Sequence, residues 1–206
     1  MGALAAGGAA GLGTGAFSAM TADRDAYIDV VNDADGLLGL EVGGEANGRV
    51  SENENGELEI DFTSEEGGEG VNVNSRYQVG EFNNHVLNRG WSDSVIDPRG
   101  GDPGFDLDRQ DNAAFRVHNN DGQDHEVTLE YEVDEESDAF IGFQISRNNV
   151  DGGAGMSYIG VWGSSDSATF TLNPGEFAGV SIAVDTRDVD DFEDSDLSGT
   201  LTVSAN

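Results

Sequence analysis

The stretch EVTLEYEV, residues 126–133, alternates polar and apolar side chains. A period of two is typical of a β-strand with one buried face, because successive side chains of a strand point to opposite sides. Short segments of strand character recur along the chain, with almost no helical periodicity between them. They are 26–30, 37–42, 57–62, 76–79, 114–118, 140–145, 158–162, 168–172, 177–185 and 199–203. The pattern predicts an all-β fold, an antiparallel jelly-roll-like β-sandwich.

Turn-forming residues separate several of these predicted strands. Asp121-Gly122 predicts a hairpin between the strands on either side of it. Asn173-Pro-Gly-Glu176 predicts a second turn, in which Pro fixes φ and Gly supplies a positive φ. Residues 80–112 lack regular strand character and are predicted to form a loop-rich insertion. The rest of 26–206 is predicted to be one sandwich domain.

The chain is strongly acidic, since 41 acidic residues against nine arginines and no lysine give its 206 residues a net charge of −32. Such a charge favours disorder, but the large apolar residues of the predicted strands can bury a core. We therefore expect a folded domain adapted to molar salt, where the Debye length falls to about 3 Å. Nucleic acid and anionic lipid require a basic patch, so neither is an expected partner.

The first 22 residues carry no charge and are rich in Ala and Gly. Residues 1–15 are interpreted as the remnant of an export signal, with the charged part of a twin-arginine signal expected upstream of Met1. They contain too few large apolar residues for a stable membrane span. The predicted location is extracellular or at the cell surface, and a disordered cytosolic leader is the alternative.

The sequence offers few groups for catalysis. It has no cysteine, no Gly-x-Ser-x-Gly motif and no phosphate-binding loop. The spacing of His85, His118 and His125 matches no known zinc motif. His118 and His125 flank the predicted hairpin turn, where they either face each other or lie on the surface. The protein is therefore not expected to be an enzyme.

Seven carboxylates fall within the twelve residues 185–196. Hard cations prefer oxygen ligands of this kind, but the spacing is not that of an EF-hand loop. Two interpretations stay open, a solvated acidic loop and a weak Ca²⁺ or Mg²⁺ site. The candidate ligands are Asp188, Asp190, Asp191, Asp194 and Asp196. No other cofactor is expected.

Three parts of the sequence together carry a family resemblance. They are the junction Gly13-Thr-Gly-Ala-Phe17 with Ala22-Asp-Arg24, the strand Phe115-Arg-Val-His-Asn-Asn120, and the ending Leu172-Asn-Pro-Gly-Glu176, Val184-Asp185 and Gly199-Thr-Leu-Thr-Val203. These parts resemble secreted haloarchaeal β-sandwich proteins related to the TasA/camelysin-like biofilm-matrix fibre subunits and archaeal bundling pilins. Residues 80–112 have no counterpart in this resemblance.

The resemblance implies a subunit that polymerises by donor-strand complementation, in which the N-terminal segment of one copy completes the sheet of the next. The donor strand would be 16–25, and its alternate side chains would fill pockets of the acceptor. The implied self-assembly residues are Ala16, Phe17, Ala19, Met20, Thr21 and Ala22. An uncharged donor also avoids repulsion between two acidic copies. A frayed terminus is the alternative interpretation of this segment.

Two functions are consistent with these observations. The first is a structural subunit of an extracellular fibre, pilus or biofilm matrix of a halophilic archaeon, a head-to-tail homopolymer. The second is a monomeric cell-surface binding module or adhesin, with or without a cation. That module would use the insertion around Trp91 or the acidic loop 185–196.

Overall fold

The computed structural model describes residues 27–31, 36–54, 57–62, 71, 75–80, 112–147, 155–186 and 197–206. Within these ranges the chain forms ten β-strands and no helix, so the all-β prediction is confirmed. In chain order they are β1 (Tyr27–Val31), β2 (Leu38–Val42), β3 (Val50–Glu52), β4 (Leu58–Asp61), β5 (Arg76–Val79), β6 (Phe115–Asn119), β7 (His125–Arg147), β8 (Gly155–Leu172), β9 (Phe177–Asp185) and β10 (Gly199–Ala205).

One long strand, β7, belongs to two layers. Its part 127–133 pairs with β10, whereas its part 140–147 pairs with β9, both antiparallel. The strand order β2-β6-β9-β7-β10-β1-β4-β3 therefore divides at β7 into two layers and does not close into a barrel. We call the layer with β10, β1, β4 and β3 the first layer, and the layer with β9, β6, β5 and β2 the second layer.

The two parts of β7 face each other across the core. The rings of Tyr131 and Phe143 lie 5.0 Å apart, whereas twelve residues of straight strand would separate them by about 40 Å. The strand therefore bends sharply between them. Its register with β8 shifts on both sides of Ser137, and such irregularities bend strands. This bend produces the sandwich-like arrangement.

Strand β8 follows β7 through both layers. The antiparallel register runs from His125 opposite Leu172 to Arg147 opposite Gly155. The sequence predicted two separate strands in each of these regions, and that prediction is wrong. Each pair of predicted strands forms one continuous bent strand, β7 or β8. The hydrogen-bonded pairing between β7 and β8 resumes after the bend.

Strand β1 is an exception to the antiparallel rule. It pairs parallel with β10, with Ile28 opposite Gly199, and antiparallel with β4, with Ile28 opposite Ile60. The earliest described strand therefore lies inside the first layer, next to the latest one.

The Asp121-Gly122 turn does not close a hairpin, which corrects the prediction from sequence. The strand before it, β6, pairs with β2 and β9, whereas the beginning of β7 pairs with β10 and β8. Locally the turn forms as expected, since the Asp121 N–H donates to Asn119 Oδ1 at 2.9 Å. Turn chemistry determines that the chain reverses here, but it does not determine the partner strand.

The layers are also joined on the side away from β7. The Arg49 guanidinium lies 5.2 Å from the ring centre of Phe62 and 5.5 Å from that of Tyr77. Phe62 follows β4 of the first layer, and Tyr77 belongs to β5 of the second. Arg49 Nη1 also donates to the Phe62 carbonyl at 3.0 Å. One cation and two rings therefore hold this side together.

The core contains apolar side chains from every strand. Strand β9 is buried over seven consecutive residues, 178–184, and so it is covered on both faces. Such a strand has a continuous apolar sequence rather than an alternating one. The largest fully buried side chains are Tyr131, Phe62, Phe115, Phe143, Ile28, Leu58, Ile60, Leu129, Ile141 and Ile145.

The predicted insertion at 80–112 falls largely on residues 81–111, which lie outside the described residues. The residues that flank this gap, Gly80 and Ala114, lie close together. A Cβ added to Gly80 would be 2.7 Å from the backbone nitrogen of Ala114. Strands β5 and β6 pair with successive parts of one edge of β9. The chain therefore leaves this edge and returns to it at one point. The domain limits and the jelly-roll order stay predictions.

Candidate assembly site

The predicted donor residues lie before the first described strand. The residues Ala16, Phe17, Ala19, Met20, Thr21 and Ala22 are outside the described residues, which begin with β1. Strand β1 begins two residues after the predicted donor 16–25 ends. The described chain therefore begins at β1, in the interior of the first layer.

Strand β1 is held firmly at that point. Ile28 and Val30 are buried in the core, and the strand is paired on both edges. Gly199 of β10 lies so close to its neighbours that a Cβ there would be 2.4 Å from the Glu132 carbonyl oxygen. Close packing of the strands around β1 gives the preceding segment a fixed attachment.

Four described strands pair on one side only and form edges of the layers. Strand β3 has three residues, β5 has four and β2 has five, and each has a single partner among the described strands. Strand β8 has 18 residues and pairs with β7 alone within the described part of the chain. It is by far the longest edge and borders both layers.

The composition of β8 differs from that of the chain. Its sequence GMSYIGVWGSSDSATFTL contains one charged residue, Asp166, whereas 24% of all residues are charged. Phe170 and Leu172 are buried, and Ser165, Ser167, Thr169 and Thr171 are exposed. Sequence reasoning missed this edge, although the uncharged stretch 155–165 is a sign of it.

The outer surfaces of the two layers differ in charge. On the first layer, Glu126, Glu130 and Glu132 of β7 are exposed. On the second layer, Gln144 and Ser181 lie opposite each other on the face away from the core, and both are buried. Carboxylates therefore cover one surface of the sandwich, while uncharged side chains occupy the middle of the other.

The acidic loop 185–196 is described only at its ends. Asp185 forms an ion pair with Arg76 at 2.9 Å, and both side chains are about nine-tenths buried. The Thr186 N–H donates to the Ser75 carbonyl at 2.9 Å. The candidate ligands Asp188, Asp190, Asp191, Asp194 and Asp196 lie outside the described residues. Among the residues that are described, no group of three or more His, Cys, Asp or Glu is arranged to hold a metal.

The histidines beside the Asp121-Gly122 turn have separate carboxylate partners. His118 Nε2 lies 2.9 Å from Glu41 Oε2, and its ring stacks on Phe177 with centres 5.2 Å apart. His125 Nε2 lies 2.7 Å from Asp121 Oδ2. They do not face each other across a hairpin, because their strands do not pair. His85 lies outside the described residues.

Two ionisable groups are shifted by their surroundings. The hydrogen bond from His125 lowers the pKa of Asp121, and the Gly122 N–H lowers it further. Partial burial lowers the pKa of Arg49, and the electrostatic effects of Tyr77 and Asp61 oppose this shift. Both groups tie loops to the sandwich. The titratable neighbour of Asp121 is His125, whose Nε2 lies 2.7 Å away.

Comparisons of the chain with protein-family models, with curated proteins and with solved structures found no match. The resemblance to matrix-fibre subunits and bundling pilins therefore stays a prediction from the sequence. The described part of the chain contains no helix with the length and apolar character needed to cross a membrane.

Proposed function

We propose that the protein is a non-catalytic structural subunit of an extracellular fibre, pilus or biofilm matrix of a halophilic archaeon. Export by the twin-arginine route would deliver it to the cell surface. It polymerises head to tail by donor-strand complementation, through the uncharged residues Ala16, Phe17, Ala19, Met20, Thr21 and Ala22.

One observation carries this proposal: an uncharged segment is attached to a strand in the interior of an acidic sandwich. Residues 1–22 have no charge, and four residues separate Ala22 from Tyr27 at the start of β1. Two copies with net charges of −32 repel each other, so a broad contact between their surfaces is unfavourable. An uncharged strand joined to the domain by a short linker can pair with a second copy by main-chain hydrogen bonds. The acidic surfaces of the two copies then stay apart.

Electron microscopy of two deletion variants in molar salt tests the proposal. The chain lacking 1–15 retains the donor and should form fibres, whereas the chain lacking 16–22 should stay as single particles. Circular dichroism should show the same strand content for both, because β1 is intact in each. N-terminal sequencing of the exported protein should find the donor residues present.

Dispersed particles from the chain lacking 1–15 would contradict a fibre subunit and favour the monomeric binding module. Fibres from the chain lacking 16–22 would show that polymerisation does not use this donor. Adding a Ca²⁺ chelator to either sample tests separately whether the acidic loop contributes to assembly.

A further inference from the structure

We infer that the outer edge of β8 along residues 155–165, which pairs with no other described strand, is the acceptor for segment 16–22 of a second copy. This inference rests on the proposed function, which names the donor segment, and it adds the surface to which the donor binds. It follows from the lengths, charges and positions of the edge strands.

The first argument is the length of the edge. An exposed strand edge presents unpaired N–H and C=O groups, and proteins limit this hazard with short edges, proline, lysine or inward-pointing charges. Strands β2, β3 and β5 have at most five residues each. Strand β8 has 18 residues and contains no proline or lysine. The one charged residue of β8, Asp166, lies just outside 155–165, so this part of the edge lacks proline, lysine and charge and is suited to pairing with another strand.

The second argument is charge. Residues 155–165 contain no Asp, Glu, Lys, Arg or His, and neither does segment 16–22. A donor strand on β8 therefore places two neutral backbones side by side. The edge at β2 is less suitable, because its Glu41 is exposed. The edge at β3 contains Glu52 and pairs with β4, which contributes Glu59.

The third argument is reach, which favours a second copy over the same chain. Ile28, Gly199 and Val133 lie in one row across the first layer, and Glu132 lies opposite Ser165. The beginning of β1 and residue 165 are therefore at the same end of the layer. In the first layer, strands β10 and β7 stand between β1 and β8, so a strand added outside β8 at Ser165 lies four spacings from β1, about 19 Å away.

The linker is too short to cover this distance comfortably. Ala22 precedes Tyr27 by five residues, and five fully extended residues span at most about 18 Å. No residue is then left to turn into the direction of β8. The segment consequently pairs with the edge of a neighbouring copy, and the repeated contact gives an open chain of subunits.

Disulfide trapping tests the acceptor, because the chain contains no cysteine. One tagged copy carries Ala19→Cys or Met20→Cys, which sample the two faces of the donor strand. A second copy with a different tag carries Ser157→Cys or Ser165→Cys on β8. The control copy carries Ser51→Cys on β3, an exposed serine on another edge. The copies are mixed in molar salt and oxidised.

We expect a mixed disulfide between donor and β8 cysteines in at least one of these pairs, and at least tenfold less with Ser51→Cys. Preferential trapping at Ser51→Cys would overturn the acceptor assignment while leaving donor-strand assembly in place. Homodimers of Ser165→Cys that form regardless of the donor would show that β8 pairs with a second β8. A disulfide formed within a chain carrying both Ala19→Cys and Ser165→Cys, at a rate independent of dilution, would show that the donor pairs in the same copy.

A variant without cysteine separates failure of the acceptor from failure of the proposed function. The double variant Ser165→Lys/Ser167→Lys places charge on the β8 edge, and Ser51→Lys serves as the control. Fibre number should fall at least tenfold in the first variant and stay unchanged in the second. Normal fibres from the β8 variant, together with loss of fibres on deletion of 16–22, would overturn only the acceptor. Fibres that survive both changes would overturn the acceptor and the proposed function.

Discussion

His125 lies between two groups that can only accept hydrogen bonds. Its Nε2 is 2.7 Å from the Asp121 carboxylate, and its Nδ1 is 3.3 Å from the main-chain oxygen of Asn206. The ring nitrogen that faces the ionised Asp121 carboxylate donates its hydrogen to it, because a carboxylate can only accept. Asn119 is buried beside this site and donates to the carbonyls of Gln123 and Leu172. A few polar side chains thus join the turn at Asp121 to the ends of β8 and β10.

The lowered pKa of Asp121 gives a pH-dependent contribution to stability. The reference pKa is 3.8, and the folded value lies below it because of the hydrogen bond from His125. The stabilisation is therefore present above pH 3.8 and is lost as the pH falls through the folded pKa. Asp121→Asn should melt at a lower temperature than the parent at pH 7, and the gap should close in stronger acid.

Thermal melts at constant salt from pH 7 to pH 2 measure this effect. Asp124→Asn, an exposed carboxylate of the same loop, is the matched control and should shift the melting temperature little at any pH. A gap for Asp121→Asn that stays constant over the whole range would contradict the role assigned to ionised Asp121.

At the scale of elements, the bend of β7 decides the architecture. Tyr131 and Phe143 lie on the two parts of this strand and contact each other across the core. The Tyr131 hydroxyl also donates to the buried carbonyl of Leu197 at 2.8 Å, just before β10 begins. The ring contact joins the two layers, whereas the hydrogen bond ties the start of β10 to β7.

Two substitutions separate these contributions. Phe143→Ala removes the cross-layer ring contact and leaves a cavity, so the free energy of unfolding should fall by about 3–5 kcal/mol. Tyr131→Phe keeps the ring and removes only the hydrogen bond, so the loss should be about 1 kcal/mol. Urea denaturation in molar salt measures both. An equal loss for the two variants would show that ring packing does not dominate the bend.

At the scale of the whole molecule, the net charge of −32 opposes the compact state. The exposed carboxylates of the first layer, such as Glu130 and Glu132, lie two positions apart on one face of β7. Nine arginines supply the permanent positive charges that offset them, because the sequence has no lysine. Salt must therefore screen most of this repulsion.

The melting temperature should rise from 0.1 M toward molar KCl, as the Debye length falls from about 10 Å to about 3 Å. The double variant Glu130→Gln/Glu132→Gln should melt higher than the parent at low salt, and this advantage should shrink at high salt. Calorimetry across a salt series measures both trends. A melting temperature independent of salt would contradict the expectation of a domain adapted to molar salt.

The strand character of this protein could be predicted from local sequence, because the period of two is a property of neighbouring residues. Tertiary structure alone decided which strands pair. Asp121-Gly122 forms a turn but no hairpin, β7 is continuous through a bend, and β1 lies parallel to β10. Which strands pair depends on contacts between residues that are far apart in sequence. Local sequence patterns carry no information about those contacts. The edge of β8 follows the same rule, since a strand is an edge only when no other strand covers it. The uncharged segment 16–22 is a fact of sequence, but its proposed acceptor became visible only in the fold.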